Sequence, residues 1–292
     1  MKKLKVGMVL AFILMTGALW AQDVDKSNST SATTTATAAP TPTDDWKKQA
    51  LFNLTLNQGA FSDWVQGGTN FVSWQAGLNA RFEKDNTGIN WLNTVKLQYG
   101  LTYNNIQGTQ ITSDTIDLES VYAWKVWDKI SPFVSLSVQN QFGPGYNYSV
   151  TPAVMTSNFM DPGYFTESAG LKYTPDPVFT TRLGASLKET AADQFESVYT
   201  QNQSVLTQFG LSWVSELNLK LSPTSAFNSK LDTFWPGGSL NLTVAEWDNV
   251  LTVGINKILN FTMEDDFRYD TVVYNGIQIK ELAGLGVGFS LL

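Results

Sequence analysis

The side chains available for chemistry here are carboxylates, lysines, arginines and hydroxyls, because the chain holds neither histidine nor cysteine. Without histidine there can be no Ser-His-Asp triad and no His-ligated metal centre. Without cysteine there is no disulfide and no thiolate nucleophile. A Ser-Lys pair would be permitted, but no spacing marks one. Asp44-Asp45 and Asp265-Asp266 could hold Ca²⁺ loosely, yet neither falls in an EF-hand pattern, and both read as solvated charge. Gly143-Pro144-Gly145-Tyr146 lacks the phosphate-loop pattern and reads as a turn. The expectation is a protein with no catalytic residues, no cofactor and no metal, and the net charge of −7 argues against a nucleic-acid partner.

The ionisable residues fall repeatedly at every second position, opposite apolar ones. Around residues 71–83, Ser73, Gln75, Gly77, Asn79, Arg81 and Glu83 alternate with Val72, Trp74, Ala76, Leu78, Ala80 and Phe82. The same holds for Lys96 against Val95 and Leu97, and for Arg182 and Lys188 against Leu183 and Leu187. A strand turns successive side chains to opposite faces, so this is the period of sheet and not of helix. The runs of roughly 13–16 residues exceed the roughly 5–6 usual in globular sheets and cover the roughly 9–11 that cross a bilayer when tilted. The expected fold is an all-β, transmembrane, antiparallel up-and-down β-barrel of about 12 strands. Arg81, Glu83, Lys96, Asp117, Glu119, Lys125, Arg182, Lys188, Glu216 and Lys220 are then the candidate lumen-lining residues. Asp232, Asp248, Glu264, Asp266, Arg268 and Lys280 continue the set with nearly balanced sign.

The elements that would position them are strands at roughly 47–57, 69–84, 88–104, 111–126, 130–142, 162–174, 178–190, 207–221, 226–235, 240–255, 258–269 and 277–292. Short turns should alternate with longer loops at 58–68, 105–110, 143–161, 191–206 and 270–276, with 236–239 short where a long loop is due. An even strand number places both ends of the barrel on one side. A slip of the outward phase between Val244 and Trp247 suggests a β-bulge near Ala245, and Glu167 falls on an otherwise apolar face. Aromatics gather toward both strand ends: Phe82, Trp91, Trp124, Tyr173 and Phe179 on the turn side, and Tyr103, Trp213, Trp235, Phe267 and Tyr269 on the loop side. Two such belts suit the two interfaces of a bilayer.

Ahead of the barrel (46–292), residues 1–21 have the layout of a secretory signal peptide. Lys2, Lys3 and Lys5 precede the apolar run Val6–Trp20, and Ala21 offers a cleavage point. Residues 22–45 are rich in Ser, Thr, Ala and Pro, have almost nothing to bury, and read as a flexible periplasmic tether. The expected location is the bacterial outer membrane with both mature termini periplasmic, and the expected partners are outer-membrane lipid and the barrel assembly machinery. The final Gly-Leu-Gly-Val-Gly-Phe-Ser-Leu-Leu looks like the terminal strand that such machinery recognises, apart from Leu292 where an aromatic is usual.

Four short pieces carry a family resemblance: Phe61-Ser62-Asp63-Trp64-Val65-Gln66-Gly67-Gly68-Thr69-Asn70, Leu97-Gln98-Tyr99-Gly100, Thr115-Ile116-Asp117-Leu118 and Glu246-Trp247-Asp248-Asn249. In this order, over roughly residues 50–292, the chain resembles an uncharacterised group of outer-membrane proteins of Bacteroidetes-type bacteria, domain-of-unknown-function family 3078. The resemblance implies a barrel and supplies no activity. Trp64 with Gly67 and Gly68 suits a tight structural loop folding back on a rim or lumen.

Two functional readings follow from the residues. One is a narrow pore or uptake channel for small solutes. The other is a closed structural or interaction barrel, acting through the outer loops or the tether. A barrel enzyme without histidine ranks behind both.

Overall fold

Long runs of alternating side chains become long strands. The computed structural model describes residues 46–60, 69–237 and 243–291. Twelve described strands close into one antiparallel barrel: β1 (Trp46–Gly59), β2 (Phe71–Asp85), β3 (Ile89–Asn104), β4 (Gly108–Trp124), β5 (Ile130–Asn140), β8 (Gly163–Tyr173), β9 (Phe179–Ala191), β10 (Val205–Ser222), β11 (Ser225–Pro236), β12 (Val244–Gly254), β13 (Leu259–Asp270) and β14 (Tyr274–Ser290). Each pairs with its barrel neighbours, and β14 returns to β1. A small hairpin, β6 (Gly145–Asn147) with β7 (Val154–Ser157), and a one-turn helix α1 (Glu196–Tyr199) sit in the two long connections. The signal peptide, the tether, Trp64, Gly67, Gly68, residues 238–242 and Leu292 lie outside the described residues.

All twelve expected strands are present, with ends within four residues of the expected ones, and with three corrections. The loops expected at 105–110 and 270–276 are tight turns over 105–107 and 271–273, because β4 begins at Gly108 and β14 at Tyr274. Asn104 Oδ1 accepts the N–H groups of Ile106 and Gln107 at 3.0 and 2.6 Å, and Gly108 takes φ +74°, which a side chain would resist. The bulge expected near Ala245 is absent, since β12 keeps an unbroken register with β11 and β13 through that point. Val244 simply faces inward beside Glu246. Register shifts occur instead at Gly100/Leu101, Lys220/Ser222 and Tyr269/Asp270.

Three of the turns on the opposite rim share one device. Asn86, Asp176 and Asn256 each accept, on Oδ1, the backbone N–H groups two and three residues ahead, at 2.8–3.0 Å. A short polar side chain thereby mimics the missing ladder and reverses the chain.

Burial is inverted relative to a water-soluble protein. Inward Arg182 is 3% exposed and its outward neighbour Leu183 is 52% exposed. Outward Phe209, Ile277 and Ile279 are exposed by about two-thirds, at 66–67%. So broad an apolar outer surface is stable only against lipid. Outward polar groups are met locally: the indole N–H of Trp91 donates to Ser120 Oγ (3.0 Å), Trp213 to Thr181 Oγ1 (2.8 Å) and Trp247 to Ser229 Oγ (2.9 Å). Trp46, Trp91, Tyr122 and Trp124 form a chain of ring contacts, with centroids 5.0–6.0 Å apart, near the rim where β1 starts. Farther along the wall, Trp213 stacks on Trp235 at 6.2 Å and Trp247 packs on Phe267 at 5.5 Å. Glu167 is indeed outward and exposed, between Leu136 and Leu187.

The ring has one short joint. β1 and β2 share a ladder running from Trp46↔Lys84 to Gly59↔Phe71, whereas β1 and β14 are paired only from Leu51↔Ser290 to Leu56↔Leu285. On the β14 side this joint is built around Gly286 and Gly288, and a Cβ on Gly286 would lie 2.9 Å from the Leu54 carbonyl oxygen.

Candidate functional site

Because inward positions are polar on every strand, charged side chains from facing walls meet along the axis. Glu119 on β4 lies at the centre. It pairs with Arg182 of β9 and with Lys230 of β11, whose Nζ is 3.3 Å away. Glu216 of β10 adds a second carboxylate 3.7 Å from Arg182. Toward the long-loop mouth, Lys96 of β3 reaches Asp248 of β12 (3.6 Å) and Glu264 of β13 (3.2 Å). Glu264 also accepts from Gln98, and Gln139 of β5 donates to Glu246 of β12 at 3.2 Å. Four strands lie between β4 and β11, between β3 and β12 and between β5 and β12 by the shorter way round the ring. These bonds therefore cross nearly the full width of the lumen. Desolvated charges at such sites must be paired, since an uncompensated one costs several kcal/mol, roughly 3–5.

Below this knot, toward the short-turn rim, Lys172 donates to Asn90 Oδ1 at 2.8 Å, and Asn90 donates to Glu83 and Asp85 at 2.7 and 3.1 Å. Beside the knot is a small cavity of about 50 Å³ next to Ser135, Ser168, Ser212 and Lys188. Lys188, 8% exposed, lies 5.0 Å from the Tyr164 ring centre and 5.6 Å from that of Phe234. These are cation–π contacts of a desolvated ammonium.

Above the knot the lumen opens into a vestibule of about 630 Å³. Its walls are the upper inward faces of β3, β4, β5, β8, β12, β13 and β14, joined by Thr156, Ser157, Pro162 and Tyr199 from the long connections. Those connections are tied down by side chains. The Asp161 carboxylate accepts the backbone N–H groups of Asp193, Gln194 and Phe195 at 2.8–3.3 Å, and Tyr199 OH donates to the Thr156 carbonyl at 3.0 Å. Burial raises the Tyr199 phenol above its ordinary pKa, so it stays a neutral donor. Asp114 accepts from the N–H groups of Phe142 and Gly143, at 2.6 and 3.0 Å, where β5 has ended beside β4.

Of the sequence-derived candidates, Arg81, Glu83, Lys96, Asp117, Glu119, Arg182, Lys188 and Glu216 stand at inward positions of their strands, and Glu119, Arg182 and Glu216 are brought together. Arg81 contacts Glu83 at 3.3 Å along one strand. Lys125 follows the end of β4 and pairs with Asp85 at 2.6 Å on the short-turn rim, and Lys220 is exposed near the end of β10. Residues that sequence reasoning left out of the site are Gln98, Gln139, Tyr164, Glu246, Asp270 and Gln278. Arg268 contacts Glu246 at 3.4 Å and Asp270 at 3.3 Å. Inward parity alone would have found Glu246, once Val244 is also read as inward. No group of three or more acidic side chains suited to a metal ion occurs among the described residues.

Comparison with known proteins adds one sequence match. Residues 56–146 match the family described as "Protein of unknown function (DUF3078)". The matched segment holds the first three motif pieces, and Glu246–Asn249 lies beyond it. It contributes β2 to β5 and with them Arg81, Glu83, Lys96, Asp117 and Glu119. No curated protein matches the chain. Similar solved structures include an outer-membrane channel from Pseudomonas putida F1, at 8% identity and TM-score 0.37 over 83% of this chain and 93% of that one. The NanC porin is similar at 11% identity and TM-score 0.39 over 82% and 97%. The translocator domain of the autotransporter NalP from Neisseria meningitidis is similar at 12% identity and TM-score 0.37 over 83% and 88%. The barrel assignment stands on this chain's own closed register.

Proposed function

We propose that this is an outer-membrane barrel through which small polar solutes pass by a narrow, ion-paired route, entering at the vestibule. The observation that carries this reading is the vestibule of about 630 Å³, lined in part by charged side chains, that reaches down to the Lys96–Asp248 crossing. Eight-stranded barrels are filled by side chains and those of 16–18 strands hold open channels. Twelve strands lie between, which suits a narrow constriction lined by ion pairs. In this reading the long connections face outside, both mature termini are periplasmic, lipid covers the apolar belt, and the assembly machinery receives the terminal strand. The route uses no catalytic step and no cofactor.

The test is conductance of the purified mature chain in planar bilayers. Small, discrete steps are expected, and Lys96→Glu or Arg81→Glu should shift ion selectivity toward cations. A folded barrel that leaves the bilayer as quiet as protein-free lipid would refute the pore. The same cross-lumen bonds favour a second reading, a closed structural barrel acting through residues 141–162 and 192–204 or through the tether. That outcome, together with crosslinks from those loops to another protein, would establish it.

A further inference from the structure

Most buried polar atoms in the lumen are satisfied within the protein. Among the described residues, four side-chain atoms are buried without a protein partner: Asn53 Oδ1, Asp266 Oδ1, Arg268 Nε and Gln278 Nε2. Asp266, Arg268 and Gln278 all line the vestibule. They are also neighbours by register, because Arg268 on β13 faces Gln278 on β14, and Asp266 faces Lys280. One panel of the wall thus concentrates an unmet acceptor and two unmet donors. A buried polar atom left unmet costs about 1–3 kcal/mol, so three in one patch call for a partner from the cavity, water or solute.

The charges of the panel indicate the chemistry it suits. Each cation of the lining already has a carboxylate: Lys280 with Asp266 at 2.5 Å, Arg268 with Glu246 at 3.4 Å and Lys96 with Glu264 at 3.2 Å. A charged solute at this panel would have to displace one of these partners, the lining carboxylates Asp114 and Asp117 standing on β4, outside the panel. A neutral hydroxyl group both donates and accepts, and so can serve Asp266 Oδ1 and Gln278 Nε2 without breaking a pair. The terminal amide plane of Gln278 turns over a broad well and can rotate toward the cavity, while the Asp266 carboxylate can keep Lys280 on Oδ2 and take a hydroxyl on Oδ1. Tyr164 and Tyr199 add phenol rings to the same lining, each an apolar body with a polar tip. A volume of about 630 Å³ lies within the roughly 300–1,000 Å³ typical of small-molecule sites.

We infer that the β13–β14 panel of the vestibule binds a neutral, polyhydroxylated solute, a short uncharged saccharide, through Asp266, Arg268 and Gln278. This deepens the pore reading and rests on it for the side from which the solute arrives.

The test is calorimetric titration of the mature chain in detergent with maltotriose, cellotriose and chitotriose, against cationic triglucosamine and anionic trigalacturonate. At least one neutral trimer should bind saturably, and both charged trimers about tenfold or more weaker. Gln278→Leu and Asp266→Ala should each weaken the neutral trimer by about tenfold, in keeping with one lost hydrogen bond. Tyr199→Ala, in a loop outside the barrel wall, should weaken it too, and heat-dependent gel mobility identifies folded samples. The inference is overturned if folded protein binds no neutral trimer, if Gln278→Leu binds as wild type, or if a charged trimer binds more tightly. Conductance of the same samples separates the two readings. A conducting barrel indifferent to neutral trimers keeps the pore and loses the site, whereas a silent barrel that binds them keeps the site and loses the pore.

Discussion

The Glu119 knot and the β13–β14 panel are built from the same kinds of residue and differ in what they leave over. At the knot, Arg182 and Lys230 converge on one carboxylate that is 9% exposed in its side chain, and the adjoining space is about 50 Å³. At the panel, ion pairs form between neighbouring strands, about 630 Å³ stays open, and three polar atoms remain unmet. Equal composition therefore does not mean equal role. Bonds that span the lumen hold its walls together, while bonds that run along one wall leave that wall facing open space.

Three substitutions would break or sharpen this contrast. Glu119→Gln removes the carboxylate that Arg182 and Lys230 share, leaving buried Arg182 with Glu216 alone, and should cost up to about 3–5 kcal/mol, read as a large drop in urea-unfolding midpoint in micelles. A near-wild-type midpoint would show that the knot carries no structural load. Leu183→Arg, on the outer face, should cost about 2–4 kcal/mol if that face meets the bilayer interior; a neutral effect in lipid would sink the membrane placement of that wall. Asp266→Asn, at a part-exposed pair along one wall, should change stability by less than about 1 kcal/mol, measured by the same unfolding. A loss as large as at Glu119 would erase the distinction between knot and panel.

Strand positions were legible because alternation is a local property repeated over a dozen residues or more. The expected 178–190 became Phe179–Ala191, and 88–104 became Ile89–Asn104. Inward parity was legible for the same reason, although Lys125 falls past the end of β4 and Lys220 is exposed near the end of β10. The partners were not. Lys96 and Asp248 are far apart in sequence and meet only once the ring has closed, so no window of sequence contains their pairing. The Ala245 bulge was a misreading of a different kind: Val244 is an apolar residue turned inward, and a phase read from hydrophobicity alone moved the backbone to suit it. The hairpin β6–β7 and helix α1 escaped because their runs are too short to show a period. Asp161 looked like an ordinary loop residue, although its carboxylate joins two connections.

The joint between the first and last strands has a mechanical consequence. Among the described residues the ladder there runs Leu51–Leu56 against Leu285–Ser290, with one more bond from the Leu291 N–H to the Ala50 carbonyl, so the hoop is held there by fewer rungs than the flanking ladders have. Under outward strain a ring parts at its shortest weld. For this chain that weld also joins the earliest-made strand to the latest-made one, so the step that completes the cylinder and the first step of its opening share one place.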